Sequence, residues 1–255
     1  MPMNPRLLRP RASGFNPRSV ANLAFWLDFA DSSTVTLSGT AITSVTDKSG
    51  NNRTASQSTG NNQPAIASSV RNGKSAAQFD GVNDALDLSF GSSQTRAVTI
   101  FTVVNATGAG GGSLGRIVDR ASSGGVLLRN NANTALAFTP PWTGATGNSQ
   151  QRSAASSFPL NTWLIVGVRY TGGFVTETDV EPRISRAIST ASLTGVGDGY
   201  SSGQSSTVNI GNRDLASGYD RGFAGYIGEI LWYSRSLSTT EVSSVESYLA
   251  KKWGF

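Results

Sequence analysis

Between Leu23 and Tyr233 the apolar residues come in short runs broken by Gly, Ser, Asn and Asp, and helical spacing appears only near the C-terminus. That alternation restricts the chain to many short strands joined by tight turns. AVTIFTVVNA (97–106) and TWLIVGVRY (162–170) give the strongest strand signals, and the first, apolar on both sides and rich in β-branched residues, is predicted to be central. LAFWLDF, AITSVTD, SAAQFDG, ALDLSF, GRIVDRA, GVLLRN, TALAFT, STVNIGN and GFAGYIGEILWYSR are predicted as further strands, with the turn Gly81-Val82-Asn83-Asp84 between two of them. Residues 140–157 are predicted as a long surface loop, and 174–207 carry turn residues throughout. Charged residues make up only 15% of the 255, against the usual ~25%, which argues against a helical bundle.

The helix begins at Ser238, where Ser238 and Glu241 form an S-x-x-E capping box. Val242, Val245 and Leu249 then make one apolar stripe, Lys251 and Lys252 oppose the dipole, and Gly254 stops the helix. Many strands and one helix predict a β-sandwich. Trp26, Trp163, Trp232 and Trp253 lie in apolar stretches and are assigned to the core. Arg116, Arg120 and Arg129 alternate with apolar residues and are expected on the solvent side of their strands.

Composition removes several chemistries. Without His there is no Ser-His-Asp triad and no imidazole acid/base; without Cys there is no disulfide, thiolate zinc site or thiol nucleophile. A metal would have to be a hard, oxygen-liganded ion such as calcium; Asp80, Asp84, Asp119 and Asp214 could supply oxygens, but no fixed ligand spacing ties them together. Any catalysis would fall to carboxylates. The glycine-rich GAGGGSLG (108–115) lacks the following GK[ST] of a phosphate cradle. There is no apolar run long enough to span a membrane, and the opening residues do not read as a secretory signal.

Charge is unevenly placed. The net charge is +5, and Arg6, Arg9, Arg11 and Arg18 all precede the first acid, Asp28, so the rest of the chain is nearly neutral. With Pro2, Pro5, Pro10 and Pro17, residues 1–19 are expected to form an extended basic arm ahead of a body at 20–255. Phe15 is the only aromatic among these arginines, which argues against nucleic acid as the partner. The expected partners are other subunits of an assembly, in a homo-oligomer.

From AFWLDFADSSTVTL, DKSGNNRTA, NNQPA, FDGVNDAL, NTWLIVGVRYTGG, VNIGNRD and the closing block FAGYIGEILWYSRSLSTTEVSSVESYLAKKWG, the chain resembles, over residues 20–254, the laminin-G-like branch of the concanavalin A-like lectin/glucanase superfamily. The resemblance implies an all-β fold: a two-sheet antiparallel jelly-roll sandwich with one C-terminal α-helix. It also implies sugar, calcium or protein ligands at the concave face or rim, in a domain type that occurs in secreted enzymes, adhesins and phage virion proteins. Thr171 stands where the family often has Asp, a departure at the rim calcium position.

Glu177-Thr178-Asp179-Val180-Glu181 resembles the E-x-D-x-E strand of the superfamily's glucanases, with Glu177 as nucleophile, Asp179 as helper and Glu181 as acid/base. Polar Thr178, the following Pro182 and a lack of nearby rings count against it. Trp142, Tyr200 and Tyr219, rings in Gly/Ser/Pro-rich segments, are the candidate glycan contacts. The expectation is a non-enzymatic structural or adhesive module, needing no cofactor: a phage virion component such as a capsid decoration, fibre or tail protein, assembled in the host cytoplasm and able to bind a cell-surface glycan. The alternatives are a secreted or surface carbohydrate-binding module and a glycoside hydrolase.

Overall fold

The computed structural model describes residues 14–91, 97–120, 126–132, 134–140, 150–173, 179–189, 192–194, 206–213 and 218–255. The strands are β1 (Leu23–Asp28), β2 (Val35–Ser38), β3 (Ala41–Thr46), β4 (Thr54–Ser56), β5 (Ala65–Arg71), β6 (Lys74–Asp80), β7 (Leu86–Ser89), β8 (Val98–Ala106) and β9 (Leu114–Asp119). They continue as β10 (Val126–Asn130), β11 (Ala135–Thr139), β12 (Gln150–Arg152), β13 (Trp163–Tyr170), β14 (Val180–Ile184), β15 (Ala187–Ile188), β16 (Ser192–Thr194), β17 (Thr207–Ile210) and β18 (Ala224–Tyr233), and the helix is α1 (Thr239–Trp253).

All pairings are antiparallel. One sheet runs β5–β6–β18–β8–β13–β14–β15, with β1 pairing the C-terminal half of β18. The other runs β2–β3–β4–β7–β17–β9–β10–β11–β12–β16. Among the described residues a single pair, Ala41 opposite Ala65, links them. As expected, the protein is all-β with one C-terminal helix.

The strand over 97–106 is central, as its two apolar faces require: β8 lies between β13 and β18, and each of its residues is buried. Its Val98, Ile100 and Val104 point between the sheets with Phe25, Val166, Ile230 and Trp232, and meet Leu88, Ile117, Phe138 and Val208 of the other sheet. Its Phe101 and Val103 point the opposite way and, with Ile165, Leu231 and Tyr233, receive the helical stripe Val242, Val245, Leu249 and Trp253. A second core therefore lies outside the first sheet. The strands around 81–84 do not form a hairpin; β6 belongs to the first sheet and β7 to the second, so that turn crosses the sandwich.

Both helix ends are closed locally. The Glu241 N–H donates to Ser238 Oγ at 3.3 Å and the Ser238 N–H to Glu241 Oε2 at 2.9 Å, while Gly254 takes φ 72°. The β5–β6 turn, Asn72 and Gly73 at φ 48° and 69°, has the two positive φ angles of a tight hairpin, and it reaches the helix C-terminus. Asn72 Nδ2 donates to the Lys252 carbonyl at 3.0 Å and Arg71 Nε to that of Trp253 at 3.0 Å.

Helix and sheet are joined through Glu229. Ile227 and Ile230 both face the inter-sheet core although three residues apart, because the register slips at Gly228. The bulge reverses the alternation and delivers Glu229 to the helix side. There Oε1 accepts from Trp26 Nε1 at 2.7 Å and the Tyr248 hydroxyl at 2.8 Å; Oε2 accepts from Trp253 Nε1 at 2.8 Å and pairs with Lys252 Nζ at 2.7 Å. Lys252 also pairs with Asp28 at 2.7 Å, and Asp28 with Lys48 at 2.8 Å. Burial and the Asp28 charge push the Glu229 pKa up. Four donors on two oxygens nonetheless suit the carboxylate, because a proton there would find an acceptor only in the Tyr248 hydroxyl.

Candidate functional site

The outer face of the second sheet carries a polar row that can be read from the register. Ser56 lies opposite Asp87, Asp87 opposite Asn209, and Asn209 opposite Asp119, so four polar side chains cross four neighbouring strands at about 4.8 Å per step. Each sits beside apolar residues that face the core, such as Leu86, Leu88, Val208, Ile210 and Val118. The two-residue period of the strands thus forces the row outward.

Tyr219 lies over one end. Its hydroxyl donates to Asp87 Oδ2 at 3.1 Å and accepts from Gln57 Nε2 at 3.1 Å, and Asn209 Nδ2 donates to Asp87 Oδ1 at 2.6 Å. Both carboxylate oxygens are therefore oriented, and the tyrosine ring is fixed by its own hydroxyl. Ser56 is exposed, Asp87 and Tyr219 are half-buried, and Asn209 and Asp119 are buried behind them. The open end presents a carboxylate acceptor, the Ser56 hydroxyl and part of the tyrosine to solvent, and the closed end supports them.

Next to the row is a charged cluster. Asp119 pairs with Arg116 at 3.5 Å, Arg213 Nε donates to Asp220 Oδ1 at 2.9 Å, and Arg221 approaches Asp220 at 3.3 Å. Burial lifts the Asp119 pKa to about 6 against the opposing pull of Arg116 and Arg213. The hydrogen bond from Arg213 holds Asp220 below the usual carboxylate range. The glycine-rich loop explains how this cluster fits. A Cβ at Gly111 would lie 2.7 Å from the Asp220 carbonyl and 2.8 Å from the Gly222 nitrogen, so the glycines let the 220–222 backbone lie flat on the loop.

The sequence-predicted residues fall in several places. Tyr219 is in the site. Trp142, Tyr200, Glu177, Asp214, Arg6, Arg9 and Arg11 lie outside the described residues. Arg18 stands exposed in a short 3-10 turn, Pro17–Ser19, that rests on the body: the Tyr233 hydroxyl donates to the Pro17 carbonyl at 3.2 Å, and Phe15 lies 6.1 Å from the Tyr248 ring. Glu181 faces the helix side of the first sheet, where it accepts from Arg169 Nη1 and lies 4.0 Å from Arg183. Asp179 precedes β14 and accepts from Thr171 Oγ1 at 3.0 Å. Asp80 and Asp84 close one loop on itself, Asp80 Oδ1 accepting from the Val82 N–H at 2.8 Å and Asp84 Oδ2 from the Asp80 N–H at 2.8 Å. Among the described residues no three acids gather as a metal site would need.

Two expectations need correction. Arg116, Arg120 and Arg129 are not on the solvent side; they are 9%, 0% and 1% exposed. Arg116 lies among Asp119 and the 213–221 charges, Arg120 stacks over the Phe90 ring at 4.4 Å, and Arg129 Nε donates to the Phe158 carbonyl at 3.0 Å. A guanidinium can bury its flat faces while its edge donates, which an alternation argument does not see. The predicted loop at 140–157 also contains β12, which extends the second sheet between β11 and β16.

No family model matches the sequence, and no curated protein matches it. Solved structures are similar in fold. Domain 4 of AbnA, a GH43 extracellular arabinanase from Geobacillus stearothermophilus in complex with arabinotriose, is 16% identical with a TM-score of 0.56, the match covering 88% of this chain and 98% of that one. Trypanosoma rangeli sialidase in complex with sialic acid is 12% identical with a TM-score of 0.59, covering 91% of this chain and 33% of that one. The binding domain of botulinum neurotoxin DC in complex with rat synaptotagmin II is 10% identical with a TM-score of 0.59, covering 92% and 52%. This chain thus spans about a third of the sialidase chain and half of the toxin chain. At such identities the likeness is one of architecture, and it identifies the protein as a jelly-roll-like β-sandwich.

Proposed function

We propose that this protein is a non-catalytic adhesive module that binds a saccharide on the outer face of its second sheet. The observation that carries the reading is Asp87, half-buried, oriented by Asn209 and Tyr219 and open at the end of the polar row. A fixed carboxylate accepts from sugar hydroxyls, and the aromatic ring beside it adds an apolar surface for the C–H groups of a pyranose. The arabinotriose and sialic acid complexes among the structural neighbours support a glycan as the ligand class. Ion pairing of Glu181 with Arg169 under the helix supports the non-catalytic part, since it ties up the acid/base that a glucanase-like strand would need.

The setting we propose is a phage virion, with the basic N-terminal arm docking on other subunits and the sandwich projecting outward. The charge asymmetry between arm and body motivates it. A glycan array tests the binding: signal from the wild-type chain that is lost in both Asp87→Ala and Tyr219→Ala is expected. An array with no wild-type signal above background overturns the reading, and loss only in Trp142→Ala moves the site to that loop. Release of reducing sugar by wild type but not by Glu181→Gln would overturn the non-catalytic assignment. Deletion of residues 2–13 is expected to leave the sandwich folded and prevent incorporation into particles; normal incorporation refutes the docking role.

A further inference from the structure

The exposed side of α1 forms one wall of an open groove of about 870 Å³, bounded also by the β5–β6 hairpin and by Gly14 and Phe15. Its lining includes Lys74, Ser247, Tyr248 and Lys251, and no carboxylate. Lys74 and Lys251 have no acidic partner among the described residues. Exposed Arg186 reaches the same helix, donating to Ser247 Oγ at 3.2 Å. Gly14 is the first described residue, so the segment that carries Arg6, Arg9 and Arg11 joins the body at the rim of this groove.

We infer that this groove is the docking site for an acidic, extended peptide segment of a different protein. The inference rests on the proposal that the N-terminal arm docks on another subunit, and it names both the second half of that surface and the chemistry of its partner. Charge decides between the occupants. The chain's own arm would bring arginines against Lys74 and Lys251, a like-charge juxtaposition that costs binding energy. A second copy carries the same lysines and the same net charge of +5, so it too brings like charge to the groove. A chain with free acids and an apolar residue fits both the lysines and the Phe15–Tyr248 ring pair. Nucleic acid fits less well, because the two lysines without an acidic partner, Lys74 and Lys251, do not make the dense basic stripe that phosphate tracking needs.

The test measures fluorescence anisotropy of the full-length protein with a labelled Glu-rich peptide carrying one Trp. A Gln-for-Glu version and a single-stranded oligonucleotide of equal charge serve as controls. The Glu peptide is expected to bind the wild type, the Gln peptide to fail, and Lys74→Glu/Lys251→Glu to weaken binding about tenfold. Lys251→Glu alone, at an exposed position, keeps the test valid if the double variant unfolds, and it is expected to weaken binding measurably. The triple variant Arg6→Ser/Arg9→Ser/Arg11→Ser is expected to retain groove binding. Absent Glu-peptide binding, or binding indifferent to the lysine changes, overturns the inference. Loss confined to the arm variant also overturns it while leaving the arm's own role standing. Tighter binding of the oligonucleotide overturns it in favour of nucleic acid.

Discussion

Replacing Glu229 by Gln tests whether a buried carboxylate fastens the helix to the sheet. The change keeps shape and removes one charge. A glutamine oxygen can still accept from two of the four groups on Glu229, but its amide then turns two hydrogens toward the others, which on the side of Oε2 are Trp253 Nε1–H and the Lys252 ammonium. Two buried donors lose their acceptor at about 1–3 kcal/mol each. Removing one partner of a buried ion pair costs about 3–5 kcal/mol, which agrees with that sum. Against a total stability of about 5–15 kcal/mol this is a large loss, and for a chain of this size it corresponds to a fall in melting temperature of roughly 10 °C. Urea unfolding followed by tryptophan fluorescence measures it, since Trp26 and Trp253 both donate to Glu229. The double variant Glu229→Gln/Lys252→Met is expected to recover part of the loss, because the ammonium no longer faces an amide. A Glu229→Gln midpoint within about 0.5 kcal/mol of wild type would refute the reasoning, by showing that the site is already neutral or that the helix docks without it.

Gly228→Ala places a methyl where the Trp253 ring lies, and is expected to cost about 1–3 kcal/mol and to raise the exposure of Trp253 to acrylamide quenching. Ser238→Ala opens the capping box and is expected to cost about 1 kcal/mol in the same denaturation assay. Glu241 and Asp31, held at about 2 by Arg235 and Lys48, contribute stability that is present above about pH 4.5 and is lost as pH falls toward 2. Asp84 and Asp119, raised to about 6 by burial, act with the opposite sign: the folded state binds the extra proton between about pH 4 and 6, so their effect on stability declines as pH rises through that window. Melting temperatures from pH 2 to 8 are therefore expected to peak near pH 4–5. Asp84→Asn is expected to flatten the upper limb by at most about 3 kcal/mol, and an unchanged limb would contradict the assignment.

What the residues settle alone is whatever depends on neighbours within a few positions. The capping box at Ser238 and Glu241, the stop at Gly254 and the stripe of Val242, Val245 and Leu249 all form as read, because every partner lies within a turn or two of the same helix. The burial of Val98–Ala106 follows in the same way from its two apolar faces. Tyr219 was legible as a ring in a polar segment. Asp87 and Asn209 were visible only as single polar residues inside LDLS and VNI, which marks an outward face but not what stands beside it.

Tertiary structure decided the rest. Register brought Asp87 to Asn209 across more than a hundred residues of chain, and no local pattern encodes which strands will pair. A one-residue bulge at Gly228 turned Glu229 from the core to the helix. Three arginines that alternation assigns to solvent became buried: Arg120 lies over the Phe90 ring and Arg129 donates to the Phe158 carbonyl, contacts with residues far along the chain, while Arg116 pairs with Asp119. Periodicity tells each strand which side is apolar; only the assembled sandwich fixes what its polar side faces, because that is settled by contacts between strands far apart along the chain.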